Sequence, residues 1–193
     1  MGGQIHGTPF VKPGAGQIII LTGTGDAGKT TLCLRLLEGL RHTNLIIKGV
    51  LSPPREENGT RIGIDLLDIE KEFRQPLATL RSGDPGGLST IRWKFEEGAM
   101  ETGNHILKYA VPCDLLVIDE LGPLEFERSL GWLNGLKAVD SREYNLAIVV
   151  IRPSLIEKAL HRWPGAEVID VTRASQSQVL AALLKLVSSI SPG

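Results

Sequence analysis

The chain has 193 residues, of which 42% are hydrophobic and 22% are charged. These values are typical of a soluble globular protein and exclude a disordered chain or a small disulfide scaffold. The 21 Lys and Arg residues nearly balance the 22 Asp and Glu residues, which gives a formal net charge of −1. Because nucleic-acid binders usually carry a basic excess, we expect no nucleic-acid partner.

The cysteines and the N-terminal segment indicate a cytoplasmic protein. Cys33 and Cys113 have apolar neighbours and form no CxxC pair, which is typical of reduced, buried thiols. Residues 1–15 are rich in Gly and Pro and lack the apolar core of a signal peptide. We therefore expect a flexible arm over 1–15 and a single domain over 16–189. No apolar run approaches the length of a membrane span, so no membrane association is expected.

The first half of the chain predicts a strand, a glycine-rich turn and a helix, followed by further extended segments. The predicted strands are Gln17–Thr22, Leu45–Ser52, Thr60–Ile69, Leu77–Leu80 and Thr90–Trp93, and the predicted helix is Gly28–Leu40. Turn residues at Pro53-Pro54 and Glu57-Asn58-Gly59 predict a hairpin that includes Thr60–Ile69. The Gly83–Gly87 segment predicts a loop.

The second half alternates regularly between helices and strands. Helices are predicted at Glu96–Ala110, Ser129–Val139, Pro153–His161 and Ser175–Val187, and strands at Asp114–Asp119, Asn145–Ile151 and Glu167–Val171. This alternation is typical of right-handed βαβ units. The sequence therefore predicts an α/β fold with a mostly parallel, twisted sheet, helices on both faces and a β-hairpin insertion. We also expect one strand to lie between Gln17–Thr22 and Asp114–Asp119.

A phosphate-binding loop is predicted directly after the first strand. The sequence GTGDAGKT at residues 23–30 matches GxxxxGK[ST], in which glycines let backbone N–H groups and a helix N-terminus face a phosphate. Lys29 is expected to reach the β- and γ-phosphates, and the Thr30 hydroxyl to bind Mg²⁺. The predicted nucleotide-binding residues here are Gly23, Thr24, Gly25, Asp26, Ala27, Gly28, Lys29, Thr30 and Thr31. The alternative is an ordinary glycine-rich turn. The Asp26 carboxylate is expected to turn away from the phosphates.

A second candidate site is the apolar strand LLVIDE at residues 115–120, which ends in two carboxylates. In proteins with such a loop, the Asp holds Mg²⁺, often through water, and the following Glu polarises the attacking water. Asp119 and Glu120 lie on opposite sides of an extended strand and can take these two roles. A Glu at this position favours hydrolysis. Strand ends are commonly polar, however, and kinases also carry acidic pairs here.

Three sequence blocks resemble a known family. They are LTGTGDAGKTTL at 21–32, GVLSPPREENGTRIGIDLLDI within 48–69 and VIDELGPLEF at 117–126. Together they resemble the nucleoside-triphosphatases of the thermophilic type, also called cancer-related nucleoside-triphosphatases, which belong to the P-loop NTPase superfamily. The resemblance covers about residues 16–188. It departs at Pro123, where the family often has Lys, and at Arg173-Ala174, where the family often has an Asn-Arg pair.

The resemblance implies Mg²⁺-dependent hydrolysis of nucleoside triphosphates, such as ATP and GTP, with little selectivity for the base. It also implies nucleotide contacts at Gly23–Thr30 and along the acidic strand. The residues of that strand are Leu115, Leu116, Val117, Ile118, Asp119, Glu120, Leu121 and Gly122. The sequence does not predict the oligomeric state.

Two other functions remain open. One is a nucleotide or small-molecule kinase, because Arg74, Arg81 and Arg92 surround the glycine-rich loop as lid arginines would. The other is a nucleotide-binding regulatory protein with little turnover, which Asp26 and Pro123 support. Acceptor-dependent product formation favours the kinase, and tight binding without hydrolysis favours the regulatory protein.

Hydrolysis also benefits from a further cation near the γ-phosphate. Arg61 is the first candidate for this catalytic role, followed by Arg55, Arg128 and Arg173, although each is also an ordinary surface arginine by its sequence context. Glu125 is expected either to cap the next helix or to contact the metal's water shell.

The remaining candidate ligands favour structural roles. Trp93, Trp132 and Trp163 are expected to pack in the core, with stacking on a nucleobase as the alternative. The four histidines are scattered along the chain and do not have the spacing of zinc ligands.

Overall fold

The computed structural model describes residues 16–25, 27–80 and 93–190 of the chain. The strands are β1 (Gln17–Thr22), β2 (Ile47–Leu51), β3 (Pro54–Glu57), β4 (Thr60–Asp68), β5 (Phe73–Leu80), β6 (Trp93–Phe95), β7 (Cys113–Leu121), β8 (Tyr144–Ile151) and β9 (Glu167–Asp170). The helices are α1 (Lys29–Leu40), α2 (Glu97–Lys108), α3 (Pro123–Arg128), α4 (Leu133–Ser141), α5 (Ile156–Arg162) and α6 (Gln176–Val187), with a 3-10 turn at Pro153–Leu155.

Some predictions lie outside the described residues. They are the flexible arm over 1–15, the orientation of Asp26, the loop at Gly83–Gly87, the lid arginines Arg81 and Arg92, and most of the predicted strand Thr90–Trp93, of which Trp93 begins β6.

The strands of these ranges form one sheet in the order β6-β5-β4-β2-β7-β8-β1-β9, with β3 paired to β4. The segment β2-β7-β8-β1-β9 is parallel, and the pairs that involve β3, β4, β5 and β6 are antiparallel. The predicted α/β class is therefore confirmed. Strand β8 lies between β1 and β7, as predicted. Parallel strands end at the same edge of a sheet, so the residues that follow β1, β8 and β7 lie together at its carboxyl edge.

Two apolar cores cover the two faces of the sheet. In β1, Ile18 and Ile20 pack into the core that includes α2 and α4, whereas Ile19 and Leu21 pack into the core that includes α1 and α6. This alternation follows from the two-residue period of a strand whose faces are both covered. None of the helices described is both long enough and apolar enough to cross a membrane.

The region after β7 differs from the predicted helix at Ser129–Val139. A separate short helix, α3, begins with Pro123 in its first turn, where proline is well tolerated. It ends at Ser129, which has a positive φ of 52°, and Gly131 follows with a φ of 72°. These two residues interrupt the helical path, so α4 begins only at Leu133.

The hairpin insertion is formed by β3 and β4, and its turn lies at Asn58-Gly59. Both turn residues have a positive φ, 49° and 74°, as the tight turns of hairpins require. Pro54 was predicted in a turn but begins β3. Among the described strands β3 pairs with β4 and with no other, so it tolerates a residue without an N–H. Because β4 runs antiparallel to β2, with Leu51 opposite Leu67, the hairpin projects beyond the carboxyl end of β2.

Candidate active site

The predicted phosphate-binding loop connects β1 to α1. Gly28 caps α1 with a φ of 75°, and a Cβ atom there would lie 2.3 Å from the Nε2 atom of Gln176. The positive φ favours glycine at this position, and a larger residue would also displace the end of the Gln176 side chain. The Gln176 side chain donates a hydrogen bond to the carbonyl of Ala27 at 2.8 Å, and the N–H of Thr24 donates to Thr172 Oγ1 at 3.1 Å. The loop is therefore anchored to α6 and to the segment before it.

Lys29 lies inside this loop and is 7% exposed. Its Nζ donates to the carbonyls of Gly23 and Thr24, at 2.8 Å each. The ammonium group is thus held within the loop by neutral acceptors, and its charge is not cancelled by an ion pair in the part of the chain that the structure describes. A polyanion entering the loop would meet this charge directly.

Asp119 is the buried carboxylate at the end of β7, with 3% of its surface exposed. The Thr30 side chain lies near this carboxylate and lowers its pKa, and the N–H of Ser52 donates a hydrogen bond to it at 3.3 Å. Burial raises the pKa of Asp119 to about 6, and the nearby charge of Glu120 adds to the rise. The Thr30 side chain, the hydrogen bond from Ser52 and the charge of Lys29 all lower this pKa and so oppose the rise.

The Thr30–Asp119 contact brings together the two residues predicted to hold Mg²⁺. A hydroxyl and a carboxylate provide the oxygen ligands that Mg²⁺ prefers, and Mg²⁺ usually takes only one or two protein carboxylates together with phosphates and waters. The donor set of this site therefore fits the ion.

Glu120 has a different partner from Asp119. Its carboxylate forms an ion pair with the guanidinium of Arg152, which follows β8. The pairing of β7 with β8 is interrupted between Ile118 and Leu121, so the two carboxylates lie at an irregular strand end. Arg152 was missed by the sequence reasoning. Its position directly after a strand of the parallel sheet was the available signal, because such positions converge at one edge.

Arg61 lies on the hairpin and lines the same cavity as the loop. Its guanidinium carbon lies 5.0 Å from the centre of the Trp93 ring, a cation–π distance. Its Nε has no hydrogen-bond partner among the described residues. Arg61 therefore remains a candidate for contact with an anionic ligand, whereas Arg128 ends α3 and does not line the cavity.

The other arginine candidates form ion pairs with carboxylates outside the cavity. Arg55 and Arg74 both lie near the Asp65 carboxylate, at 3.7 Å and 2.7 Å. Arg173 is paired with Asp170 at 3.2 Å, and its side chain is 88% exposed. None of these three arginines lines the described cavity.

Glu125 caps α3. Its Oε2 accepts a hydrogen bond from the Gly122 N–H at 2.8 Å, and its Oε1 accepts one from the Trp132 N–H at 2.7 Å. Burial raises the pKa of Glu125 in spite of these two bonds. Of the two roles predicted, the capping role is the one seen here, because both oxygens already hold main-chain N–H groups.

A cavity of about 690 Å³ contains most of the predicted site. Its lining includes Gly23, Gly25, Gly28, Lys29, Thr30, Thr31, Arg61, Asp119, Glu120 and Gly122. The strand residues Leu115, Leu116, Val117, Ile118 and Leu121 are 0% exposed. Their side chains are not accessible to a ligand. Of the nucleotide contacts predicted along this strand, only Asp119, Glu120 and Gly122 line the cavity. Trp93, Trp132 and Trp163 are buried as predicted, although the first two also line the cavity.

The sheet is parallel around β1, a glycine-rich loop joins β1 to α1, and a buried carboxylate ends a nearby strand. This combination is typical of nucleotide-binding proteins of the P-loop class. The chain belongs to the NTPase family, whose model matches residues 18–184. The family resemblance predicted from the sequence is confirmed.

Curated relatives and solved structures agree with this assignment. The chain is 30% identical over 176 residues to nucleoside-triphosphatase THEP1 of Ignicoccus hospitalis, covering 90% of this chain and 98% of that protein. It is also 30% identical over 171 residues to THEP1 of Pyrobaculum calidifontis, covering 89% and 93%.

Two solved structures share the fold. The solution structure of a human cancer-related nucleoside triphosphatase matches with a TM-score of 0.66 at 23% identity, covering 90% of this chain and 98% of that one. The crystal structure of THEP1 from Aquifex aeolicus matches with a TM-score of 0.65 at 19% identity, covering 89% and 99%.

Proposed function

We propose that this protein is a Mg²⁺-dependent nucleoside-triphosphate phosphohydrolase, which converts a nucleoside triphosphate and water to the diphosphate and inorganic phosphate. The observation that carries the proposal is the contact of Thr30 with Asp119 beside the loop that holds Lys29. The names of the relatives, nucleoside-triphosphatases, support the same reaction.

The loop supplies the binding energy for the triphosphate. Main-chain N–H groups of residues 23–30 and the Lys29 ammonium bind the β- and γ-phosphates. Thr30 and Asp119 hold Mg²⁺, which neutralises charge on the β- and γ-phosphate oxygens when bound. Because these contacts concern groups common to all nucleoside triphosphates, including ATP and GTP, we propose a broad base preference.

Glu120 acts on the attacking water. Its carboxylate accepts a proton as the water oxygen attacks the γ-phosphorus, and the bond from that phosphorus to the β,γ-bridging oxygen breaks. Arg152, which is paired with Glu120, and Arg61 on the hairpin are the cations available to stabilise charge on the γ-phosphate oxygens.

We place this activity in one domain, 16–189, and in the cytoplasm. Cys33 and Cys113 are both free and buried, which agrees with a reducing compartment.

The test is phosphate release by the purified full chain with Mg²⁺ and a panel of four nucleoside triphosphates, without any acceptor. We expect Lys29→Ala to lose phosphate release because it removes the loop's charge. Glu120→Gln should lower turnover by about 100-fold or more while nucleotide binding, measured by calorimetry, persists. Release no greater than that of Lys29→Ala would contradict the proposal. Tight binding with no Mg²⁺-dependent release, unchanged in Glu120→Gln, would select the regulatory alternative.

A further inference from the structure

The peptide that joins Asp119 to Glu120 lies where β7 leaves the regular pairing on both of its sides. Towards β2, the parallel register ends with Val50 opposite Ile118. Towards β8, the register is interrupted between Ile118 and Leu121. Within the described strands, regular pairing therefore stops short of this peptide, although the direction of two proposed site residues depends on its orientation.

Ser52 contacts this peptide from the β2 side. Its hydroxyl donates a hydrogen bond to the main-chain carbonyl of Asp119 at 2.6 Å, and its N–H donates to the Asp119 carboxylate at 3.3 Å. One residue thus binds both the main chain and the side chain of Asp119. Because a peptide unit is planar, the bond to this carbonyl also orients the N–H of Glu120 and the chain that continues from it.

Ser52 is itself held in place by its neighbours. It directly follows β2 and precedes Pro53, and a residue before proline is largely confined to extended backbone conformations. The carbonyl of Pro53 accepts a hydrogen bond from the N–H of Asp65 in β4 at 2.9 Å. Ser52 is therefore anchored between β2 and the base of the hairpin, and its two donors meet Asp119 from a defined direction.

Arg152 provides a second attachment, from the β8 side, through its ion pair with the Glu120 carboxylate. The two attachments differ in how a phosphate would affect them. The Arg152 side chain is charged and 43% exposed, so an incoming phosphate competes for it. The bond from the Ser52 hydroxyl joins two uncharged groups, one of them in the main chain, so it stays in place when Arg152 turns to the phosphate.

The hydroxyl of Ser52 has a positioning role rather than a chemical one. Ser52 lines the cavity together with Asp119 and Glu120, so a direct part in the reaction has to be weighed. A serine hydroxyl carries a single proton, and this one is donated to the Asp119 carbonyl. Ser52 therefore acts through Asp119 and Glu120.

We propose that Ser52 is a positioning residue, whose two hydrogen bonds to Asp119 orient that carboxylate in the proposed metal site and direct Glu120 toward the attacking water. The inference rests on the proposed function, because it assigns Ser52 to the same reaction. Contacts that orient metal-binding carboxylates or reacting groups typically change activity by about 10- to 100-fold. The loss of one hydroxyl should therefore be measurable.

The kinetic experiment measures phosphate release from ATP at saturating Mg²⁺. Ser52→Ala keeps the main-chain donor and should lower kcat by about tenfold or more, with KM for ATP changed by less than about threefold, because the loop and Lys29 are unaltered. Ser52→Thr restores a hydroxyl on the same carbon and should stay within about threefold of the unaltered chain. The matched control is Ser189→Ala, since Ser189 also donates to a main-chain carbonyl, that of Leu186, at 2.6 Å; it should keep full activity.

A second background tests whether Ser52 acts through Glu120. Groups that act as a unit have non-additive effects. Removing the Ser52 hydroxyl from Glu120→Gln should therefore change the residual turnover by less than about twofold. Equal losses in the two backgrounds would show a general structural effect and overturn the positioning of Glu120.

The chain without metal or nucleotide gives a measurement that does not depend on catalysis. In its NMR spectra, the carbonyl carbon of Asp119 and the amide of Glu120 report on the bond from the Ser52 hydroxyl. Both resonances should shift in Ser52→Ala, return toward their original positions in Ser52→Thr and stay unmoved in Ser189→Ala. Thermal melting shows whether each variant is folded. If Ser52→Thr is not, the two backgrounds and the resonances of Ser52→Ala decide.

The outcomes keep this inference apart from the proposed function. An unchanged kcat in Ser52→Ala, a loss that folded Ser52→Thr does not restore, or a rise in KM for ATP alone overturns the positioning role and leaves the hydrolase. Resonances of Asp119 and Glu120 that do not move in Ser52→Ala overturn it as well. Phosphate release by the unaltered chain no greater than that of Lys29→Ala overturns the proposed function, and the role of Ser52 in it, even where the resonances shift.

Discussion

The guanidinium of Arg152 is paired with the carboxylate of Glu120, which joins the end of β8 to the end of β7. The Arg152 side chain is 43% exposed and that of Glu120 is 28% exposed, so both can exchange partners without leaving a buried charge. A γ-phosphate placed beside Glu120 carries more negative charge than the carboxylate and competes for Arg152. The pair thus positions the proposed general base and one cation of the proposed site together.

Replacing Arg152 should therefore affect turnover more than binding. We expect Arg152→Ala to lower kcat by about 100-fold, because the charge that develops on the γ-phosphate loses a cation, and to change KM by less than about threefold. The measurement is steady-state phosphate release with ATP and Mg²⁺. Arg162→Ala is the matched control, since Arg162 is 41% exposed and paired with Asp140; it should retain full activity. An equal loss in both variants, or a rise in KM alone, would count against a role at the γ-phosphate.

We expect the ionised Asp119 carboxylate to lower the free energy of unfolding at neutral pH, although the proposed activity requires it. Its pKa is about 6 in the folded chain against an ordinary value of 3.8, so the folded state holds a proton that the unfolded state releases. The free energy of unfolding should fall as pH rises from about 4 to 6, by about 2 to 3 kcal/mol, and stay level above. Asp119→Asn lacks this titration and can still accept the hydrogen bond from the Ser52 N–H.

We therefore expect Asp119→Asn to melt at a higher temperature than the unaltered chain at neutral pH, by a margin that shrinks on acidification to about pH 4. Thermal unfolding across this range in metal-free buffer with a chelator measures the margin. The same variant should have little phosphate release, because it loses the proposed Mg²⁺ carboxylate. A margin independent of pH, or a less stable variant at neutral pH, would show that burial does not raise the pKa of Asp119.

We expect Glu125 to raise the free energy of unfolding through its hydrogen bonds from two main-chain N–H groups. Glu125→Ala leaves the N–H groups of Gly122 and Trp132 without acceptors in a buried place, which should lower the free energy of unfolding by about 2 to 4 kcal/mol. Denaturant unfolding measures this change. Glu127→Ala, two residues along α3 and 43% exposed in its pair with Lys158, should change it by less than about 1 kcal/mol. Similar losses in both variants would contradict the capping role.

Short-range rules predicted most of the elements and the phosphate-binding loop. The loop could be recognised because eight consecutive residues carry its chemistry, and β1 because both of its faces are apolar. The break between α3 and α4 could not, since it depends on a positive φ at Ser129, a residue type that adopts this conformation infrequently. The turn at Asn58-Gly59 was marked by its residues, whereas the strand role of Pro54 depends on β3 lying at an edge.

The residue types at positions 23–30 and 119–120 were enough to predict a phosphate site with a metal carboxylate, because that chemistry resides in short segments of chain. The contact of Thr30 with Asp119 and the pairing of Glu120 with Arg152 depend on residues that lie far apart in the chain. They follow from the order of the strands in the sheet, which brings the ends of β1, β8 and β7 to one edge. Strand order is set by the packing of the whole domain, and local sequence patterns carry no direct record of it.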